Sequence, residues 1–194
     1  MKIAFTGTSC TGKTTLSYLL REEPWVKSHL PLFITVDARS LLTSRGFQSV
    51  DRMSPHELRD FQTEYLSKKI HTEDGQDNYI TDRSFVDVAA YWIERDAEGL
   101  PLSDVEPYVE RCREEVKRYD THFYFPFGII QFESDGFRSE DLDFHTRIDL
   151  RIQKLLKEWN LRVETLNSRN LLERREIVTA YLRDLWRHNQ SAGE

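Results

Sequence analysis

Residues 5–16 read FTGTSCTGKTTL, and the spacing inside this stretch decides the fold. Gly7 is followed by four residues and then by Gly12-Lys13-Thr14, the G-x-x-x-x-G-K-[ST] pattern of a phosphate-binding loop. The pattern acquires meaning between a strand and a helix. KIAF (2–5) is a short apolar run suited to a buried strand, and it stops just ahead of Gly7. Lys13 to about Leu20 reads as a helix that stops before Pro24. In that setting the backbone N–H groups of Thr8, Ser9, Cys10, Thr11, Gly12 and Lys13 can converge on phosphate oxygens at a helix N-terminus. Lys13 would neutralise β- and γ-phosphate charge, and the Thr14 hydroxyl would ligate Mg²⁺. Thr15 completes the predicted nucleotide-binding set.

Outward from the loop, strand-like and helix-like runs alternate. PLFITV (31–36) ends at Asp37, DNYIT (77–81) ends at Asp82, HFYF is residues 122–125, and LRVETL (161–166) partly alternates like an edge strand. Ser54-Pro55 with Glu57 forms a capping box that starts a helix striped by Leu58, Phe61 and Tyr65. Further helices are expected from Ser84, from Ser103 by a second capping box with Glu106, around Phe144 to Trp159, and from Ser168. This alternation predicts a three-layer α/β/α fold with a five-stranded parallel sheet. We expect one domain over 1–194 with a lid at about 128–147.

The bulk numbers narrow the function class. The chain has 194 residues, 39% hydrophobic and 31% charged, with a formal net charge of −6. That balance gives no electrostatic reason to expect nucleic acid as a partner, although a local basic groove could serve one. No apolar run approaches the length of a membrane span, so no membrane association is expected. The two cysteines, Cys10 and Cys112, fall in the loop and in a helical pattern, which argues against a structural disulfide and for a reducing cytoplasm. The histidines show no metal-ligand spacing. A homodimer is left open.

In a parallel sheet, ligands bind beyond the carboxyl ends of the strands. Asp37-Ala38-Arg39 and Asp82-Arg83-Ser84 sit at two such ends. Asp82 could hold Mg²⁺ through water or accept a proton. Arg83 and Asp87, four apart, can face one cleft, either as ligands or as a helix-surface ion pair worth a few tenths of a kcal/mol. Phe47, Phe61 and Tyr65 read first as core, with stacking on an aromatic ring of a substrate as the alternative.

These residues resemble the P-loop nucleoside and nucleotide kinases. VDAR (36–39) and TDRSFVDVAAYW (81–92) look like the acidic and Asp-Arg acceptor motifs of thymidylate kinase and the deoxynucleoside kinases. ESDGFRSEDLDFHTRIDLRI (133–152) looks like their arginine-bearing lid. The pattern is also similar to the nicotinamide riboside kinase-like ATPase family, whose aromatic-glutamine pair Phe61-Gln62 resembles. The resemblance runs nearly the whole chain, in order, and implies an ATP- and Mg²⁺-dependent kinase acting on a small nucleoside or nucleoside monophosphate. It implies that Asp37 or Asp82 assists the acceptor hydroxyl or the metal, that Arg39 and Arg83 contact acceptor or phosphate, and that Arg138 and Arg147 close over the transferred group. Where many of these kinases have glutamate after the second strand, this chain has the shorter Asp37, which leaves the base open between Asp37 and Asp82. Two rivals stand beside this reading: a kinase acting on a hydroxyl of a modified base or a polynucleotide end, and a nucleotide-hydrolysing regulatory switch. The absence of an N-K-x-D motif counts against a GTP switch.

Overall fold

The computed structural model describes residues 1–96, 102–131 and 141–191. Its centre is a five-stranded all-parallel sheet in the order β2-β3-β1-β4-β5, built from β1 (Lys2–Thr6), β2 (Leu32–Thr35), β3 (Tyr79–Asp82), β4 (Thr121–Tyr124) and β5 (Val163–Thr165). The chain places β3 and β4 on opposite flanks of β1, so the crevice beyond the β1 terminus is the topological switch point where ligands bind in open α/β sheets. Register fixes what meets there. Phe5 and Thr35 both pair with Asp82, and Thr6 pairs with Tyr124. The carboxylate end of β3 therefore lies beside the start of the phosphate loop.

Helices cover both faces. One core gathers Ile3, Phe5, Phe123 and Phe125 of the sheet side with Leu16 and Leu20 of α1 (Lys13–Arg21), Val26 of α2 (Pro24–His29), and Val178, Leu182 and Leu185 of α8 (Leu171–Ser191). The other gathers Ala4, Ile34, Tyr79 and Tyr124 with apolar stripes of α3 (Ala38–Ser44), α4 (Pro55–Glu73), α5 (Phe85–Asp96), α6 (Leu102–Glu115) and α7 (Leu142–Glu158). Two buried faces explain why the strands read as nearly continuous apolar runs. Among the described residues no helix is long and apolar enough to cross a membrane.

Most local expectations hold. Ser54 and Glu57 form the reciprocal capping box of α4, with Pro55 at its first position. Four differ. α1 ends at Arg21, before Pro24 as expected, but Pro24 also opens α2, a helix not anticipated, since a proline at the first helical turn sacrifices no hydrogen bond. Asp37 opens α3, a helix not anticipated, as its N-cap. α6 begins at Leu102, so Ser103 is inside it rather than its cap. α8 begins at Leu171, capped by the Asn170 side chain, which accepts from the Leu172 and Glu173 N–H groups. Cys10 and Cys112 both carry reduced thiols.

Beneath β3 lies a polar cluster that periodicity gave no reason to expect. Lys69 and Glu73, one helical turn apart on α4, are both fully buried and paired at 2.6 Å. Lys69 also donates to Thr81 Oγ1 (3.0 Å), and Tyr119 donates to Glu73 at 2.7 Å.

Candidate active site

The loop after β1 can be built only with glycine at its first position. Gly7 has φ +153°, and a Cβ there would sit 2.5 Å from the Phe125 carbonyl oxygen. Its N–H donates to Asp87 Oδ1 at 2.9 Å. Gly12, at φ +88°, is the N-cap of α1, and no side chain caps the helix. The first-turn N–H groups are thus left available to an anion, and no acidic residue in the first turn competes for them.

Lys13 is buried. Its Nζ donates to the carbonyls of Gly7 (2.8 Å) and Thr8 (2.6 Å) and to Thr11 Oγ1 (3.1 Å). Burial lowers its pKa, the neighbouring Arg83 lowers it further, and Asp82 and Asp87 oppose the shift. The loop is braced from behind by Arg174 of α8, wholly buried, which donates to the carbonyls of Thr11 (2.7 Å), Ser168 (2.6 Å) and Leu166 (3.3 Å). Nothing in the sequence around Arg174 signals this role.

Asp82 accepts from Thr14 Oγ1 at 2.8 Å through Oδ2, while its Oδ1 is buried without a hydrogen-bond partner among the described residues. A buried carboxylate oxygen left over beside the loop threonine suits an oxygen-ligated cation. Among the described residues no group of three or more His, Cys, Asp or Glu forms a cage. Arg83 follows with φ +69°, a left-handed conformation rare outside glycine, which turns its guanidinium toward the loop. Its Nη2 donates to Ser9 Oγ at 3.1 Å, and its guanidinium carbon lies 4.9 Å from the Tyr91 ring centre. Burial opposes the Arg83 charge, but Tyr91, Asp87, Tyr65 and Asp82 outweigh it and hold its pKa above the usual value.

Asp87 lines the cleft together with Arg83, as expected, and its carboxylate is also committed to the loop. It is fully buried, and it accepts from Gly7 N, Ser84 N (2.9 Å) and Ser84 Oγ (3.1 Å). Its separation from Arg83 is 3.8 Å. It staples the loop to the start of α5. Asp37 is exposed, and both its oxygens are engaged: Oδ1 by Arg39 N (2.9 Å) and Oδ2 by Ser40 Oγ (2.5 Å). The Ser40 hydrogen bond is the main cause of its lowered pKa.

These groups meet in a cavity of about 690 Å³. Ser9 to Thr15 line one part, and Asp37, Arg39, Phe61, Gln62, Asp82, Arg83 and Asp87 line the rest. Tyr91, Arg95, Tyr108 and His145 also face it, and sequence reasoning missed all four. The signal for Tyr91 and Arg95 was present, since they extend the helix that begins beside Arg83. Arg147 is not brought to the cavity. It is half exposed on α7 and lies 3.7 Å from Glu94, which Arg151 binds at 2.8 Å. Arg138 and residues 132–140 of the expected lid fall outside the described residues.

Similarity to known proteins agrees with this geometry. The AAA domain family profile matches residues 2–175. No curated protein matches the chain in sequence. Among solved structures, deoxyadenosine kinase from M. mycoides with dCMP and dCDP bound superposes with a TM-score of 0.68 at 16% identity, covering 95% of this chain and 100% of that one. The same enzyme with dATP gives 0.61 at 14%, covering 94% and 100%. Thymidylate kinase from Ehrlichia chaffeensis gives 0.60 at 17%, covering 94% and 98%. The fold is that of the P-loop nucleoside and nucleotide kinases, and the chain belongs to the AAA domain family.

Proposed function

We propose that the chain is an ATP-dependent phosphotransferase that moves the γ-phosphoryl group to a small nucleoside or nucleoside monophosphate. The observation that carries this reading is the shared cavity. A phosphate loop, two strand-end carboxylates, three arginines and an aromatic-amide wall of Phe61, Gln62, Tyr65 and Tyr108 open into one space. A nucleotide-hydrolysing module would need the first of these features and not the last.

In this reading the loop N–H groups and Lys13 bind the donor phosphates, with Lys13 moving from the Gly7 and Thr8 carbonyls onto phosphate oxygens. Thr14 and Asp82 would hold Mg²⁺, which when bound neutralises charge between the β- and γ-phosphates. Asp37 faces the acceptor side and takes the hydroxyl proton at a carboxylate oxygen. Its lowered pKa makes it a weak base, which a loose phosphoryl-transfer transition state tolerates. Arg39 and Arg83 position acceptor and phosphoryl oxygens. A lid at about 128–147 brings in Arg138, and Arg147 would have to leave Glu94 to join it.

The deciding experiment is transfer of label from γ-labelled ATP to a panel of nucleosides, nucleoside monophosphates, nicotinamide riboside and polynucleotide ends. Mg²⁺-dependent labelling of one small acceptor is expected. Label appearing only as free phosphate would favour the second reading, a regulatory nucleotide hydrolase.

Two variants separate the carboxylates. Asp37→Asn keeps the α3 cap, because asparagine caps as well as aspartate, so stability should change by less than about 1 kcal/mol. Acceptor turnover should fall while ATP affinity holds. Asp82→Asn should raise the Mg²⁺ requirement. An Asp37→Asn protein that loses ATP binding but turns over acceptor normally would remove Asp37 from the acceptor side.

Cys10 offers a test without turnover. It lines the cavity at φ +60° and is half-buried, whereas Cys112 is fully buried and serves as an internal reference. Saturating ATP·Mg²⁺ should slow Cys10 alkylation by at least about tenfold. Equal rates with and without nucleotide would mean that the loop is not the phosphate site.

A further inference from the structure

Hydroxyls inside the phosphate loop form a chain that reaches from Arg83 to helix α7. Arg83 Nη2 lies 3.1 Å from Ser9 Oγ, Ser9 Oγ 3.2 Å from the Tyr91 phenol oxygen, that oxygen 3.3 Å from Thr8 Oγ1, and Thr8 Oγ1 3.0 Å from His145 Nδ1. Arg83 fixes the direction at one end, and one arrangement of the remaining protons is continuous through to His145. A guanidinium can only donate, so Ser9 accepts from Arg83 and is free to give its own proton to Tyr91. Tyr91 then gives its proton to Thr8, and Thr8 gives its proton to His145 Nδ1 as acceptor. Every hydroxyl donates once and accepts once, and each bond polarises the next.

Tyr91 is the middle member, and its ring does separate work. The guanidinium carbons of Arg83 and Arg95 lie 4.9 and 5.1 Å from its centre, and Phe144 of α7 packs edge-on at 6.0 Å. One side chain of α5 thus touches the loop, the strand-end arginine and the helix that follows the expected lid.

We infer that Tyr91 is a positioning residue that holds Arg83 and the first half of the phosphate loop in place for a phosphoryl ligand and ties them to α7 through Thr8 and His145. This rests on the kinase reading for its place in turnover, but its binding consequences require only that the loop takes phosphate. Phe61 and Gln62 line the same cavity without entering this chain.

The charged surroundings make the assignment measurable. Burial pushes the Tyr91 phenol up, but Arg83, the hydrogen bonds that Ser9 and Thr8 can give the phenolate once Tyr91 has lost its own proton, and Arg95 outweigh it and bring its pKa down to about 8. The groups facing it are Arg83 and Asp87 at the start of α5, Arg95 further along α5, Lys13 of α1, and His145 of α7. A bound phosphate adds negative charge beside the phenol and disfavours its ionised form. The complex therefore keeps the phenol neutral, and its pKa is higher when nucleotide is bound. By linkage, nucleotide affinity is complete below about pH 8 and falls by about tenfold per pH unit above it, up to the raised value of the complex. Ionisation also removes the proton that Tyr91 gives Thr8 and draws the Arg83 charge onto the phenolate.

Tyr91→Phe keeps the ring contacts and deletes only the hydroxyl. The phenolate ultraviolet difference spectrum of the full chain is titrated with and without ATP·Mg²⁺, and the ATP·Mg²⁺ Kd is measured across the same pH range. We expect one phenol titrating near pH 8 in the wild type, missing in Tyr91→Phe, and moving up by about one pH unit with nucleotide. We expect the alkaline loss of affinity to vanish in the variant. Ser9→Ala, which cuts the chain between Arg83 and Tyr91 but keeps the phenol, should raise that titration. An unchanged phenol titration and an unchanged affinity profile in Tyr91→Phe would overturn the assignment. A wild-type protein that binds nucleotide with this profile but labels no acceptor would overturn the kinase reading alone.

Discussion

Lys13→Ala is expected to lower kcat of the proposed phosphoryl transfer by about a thousandfold, the scale of losing a preorganised charge at the transition state. The lysine lies at the floor of the loop with its Nζ on the carbonyls of Gly7 and Thr8, a few ångströms from where donor phosphates would enter. It is already desolvated, so its charge acts in a setting where electrostatic interactions exceed their strength in water. The sequence alone suggests an exposed lysine whose loss costs no stability. The structure changes that expectation. Removing it strips three acceptors of a donor, and each such bond contributes about 1 kcal/mol net, less where water can enter from the cavity. A thermal melt should therefore show a modest drop beside the large kinetic loss. A folded Lys13→Ala protein with near-wild-type turnover would reject Lys13 as the phosphate lysine.

Glu73→Leu destabilises the protein by about 3–5 kcal/mol, because it leaves a fully buried ammonium without its counter-charge. That is a large share of the roughly 5–15 kcal/mol that holds a domain together. Tyr79 and Tyr119 lose an acceptor in the same step. The double variant Lys69→Met, Glu73→Leu should recover most of the loss, since an apolar pair of similar volume can replace a buried ion pair at little cost. Urea unfolding of the two single variants and the double variant gives the coupling directly. A cost below about 1 kcal/mol for Glu73→Leu would mean that water reaches Lys69 and that the pair is not the buried element described here.

The part of the molecule written locally was legible from the sequence. The phosphate loop is a run of neighbours whose backbone angles glycine dictates, and its strand-before, helix-after setting follows from apolar runs of strand and helix period. The parallel sheet followed from their alternation. Gly7 belongs to this set, although the 2.5 Å approach of the Phe125 carbonyl that makes it obligatory is a tertiary fact. Asp37, Arg39, Asp82 and Arg83 could be placed at strand ends because the ends were visible. What each carboxylate does there was not, since that depends on the partners it meets. Asp37 caps α3 with both oxygens, Asp87 is spent on the Gly7 and Ser84 N–H groups, and Asp82, beside Thr14, keeps one oxygen unpartnered among the described residues.

Three further assignments belong wholly to the folded chain. Arg174 braces a loop 163 residues earlier, Tyr91 and His145 meet the loop across 82 and 137 residues, and Arg147 turns to Glu94 rather than to the cavity. Sequence by itself determined the strands, the longer helices, their order and the residues of the phosphate loop, because periodicity, capping and backbone sterics act over a few residues, while the short helices α2 and α3 escaped it. The tertiary structure decided which polar side chains are committed and which remain available to a ligand. Hydrogen bonding and desolvation are properties of the partners brought together, and strand order and register, not chain proximity, bring them together.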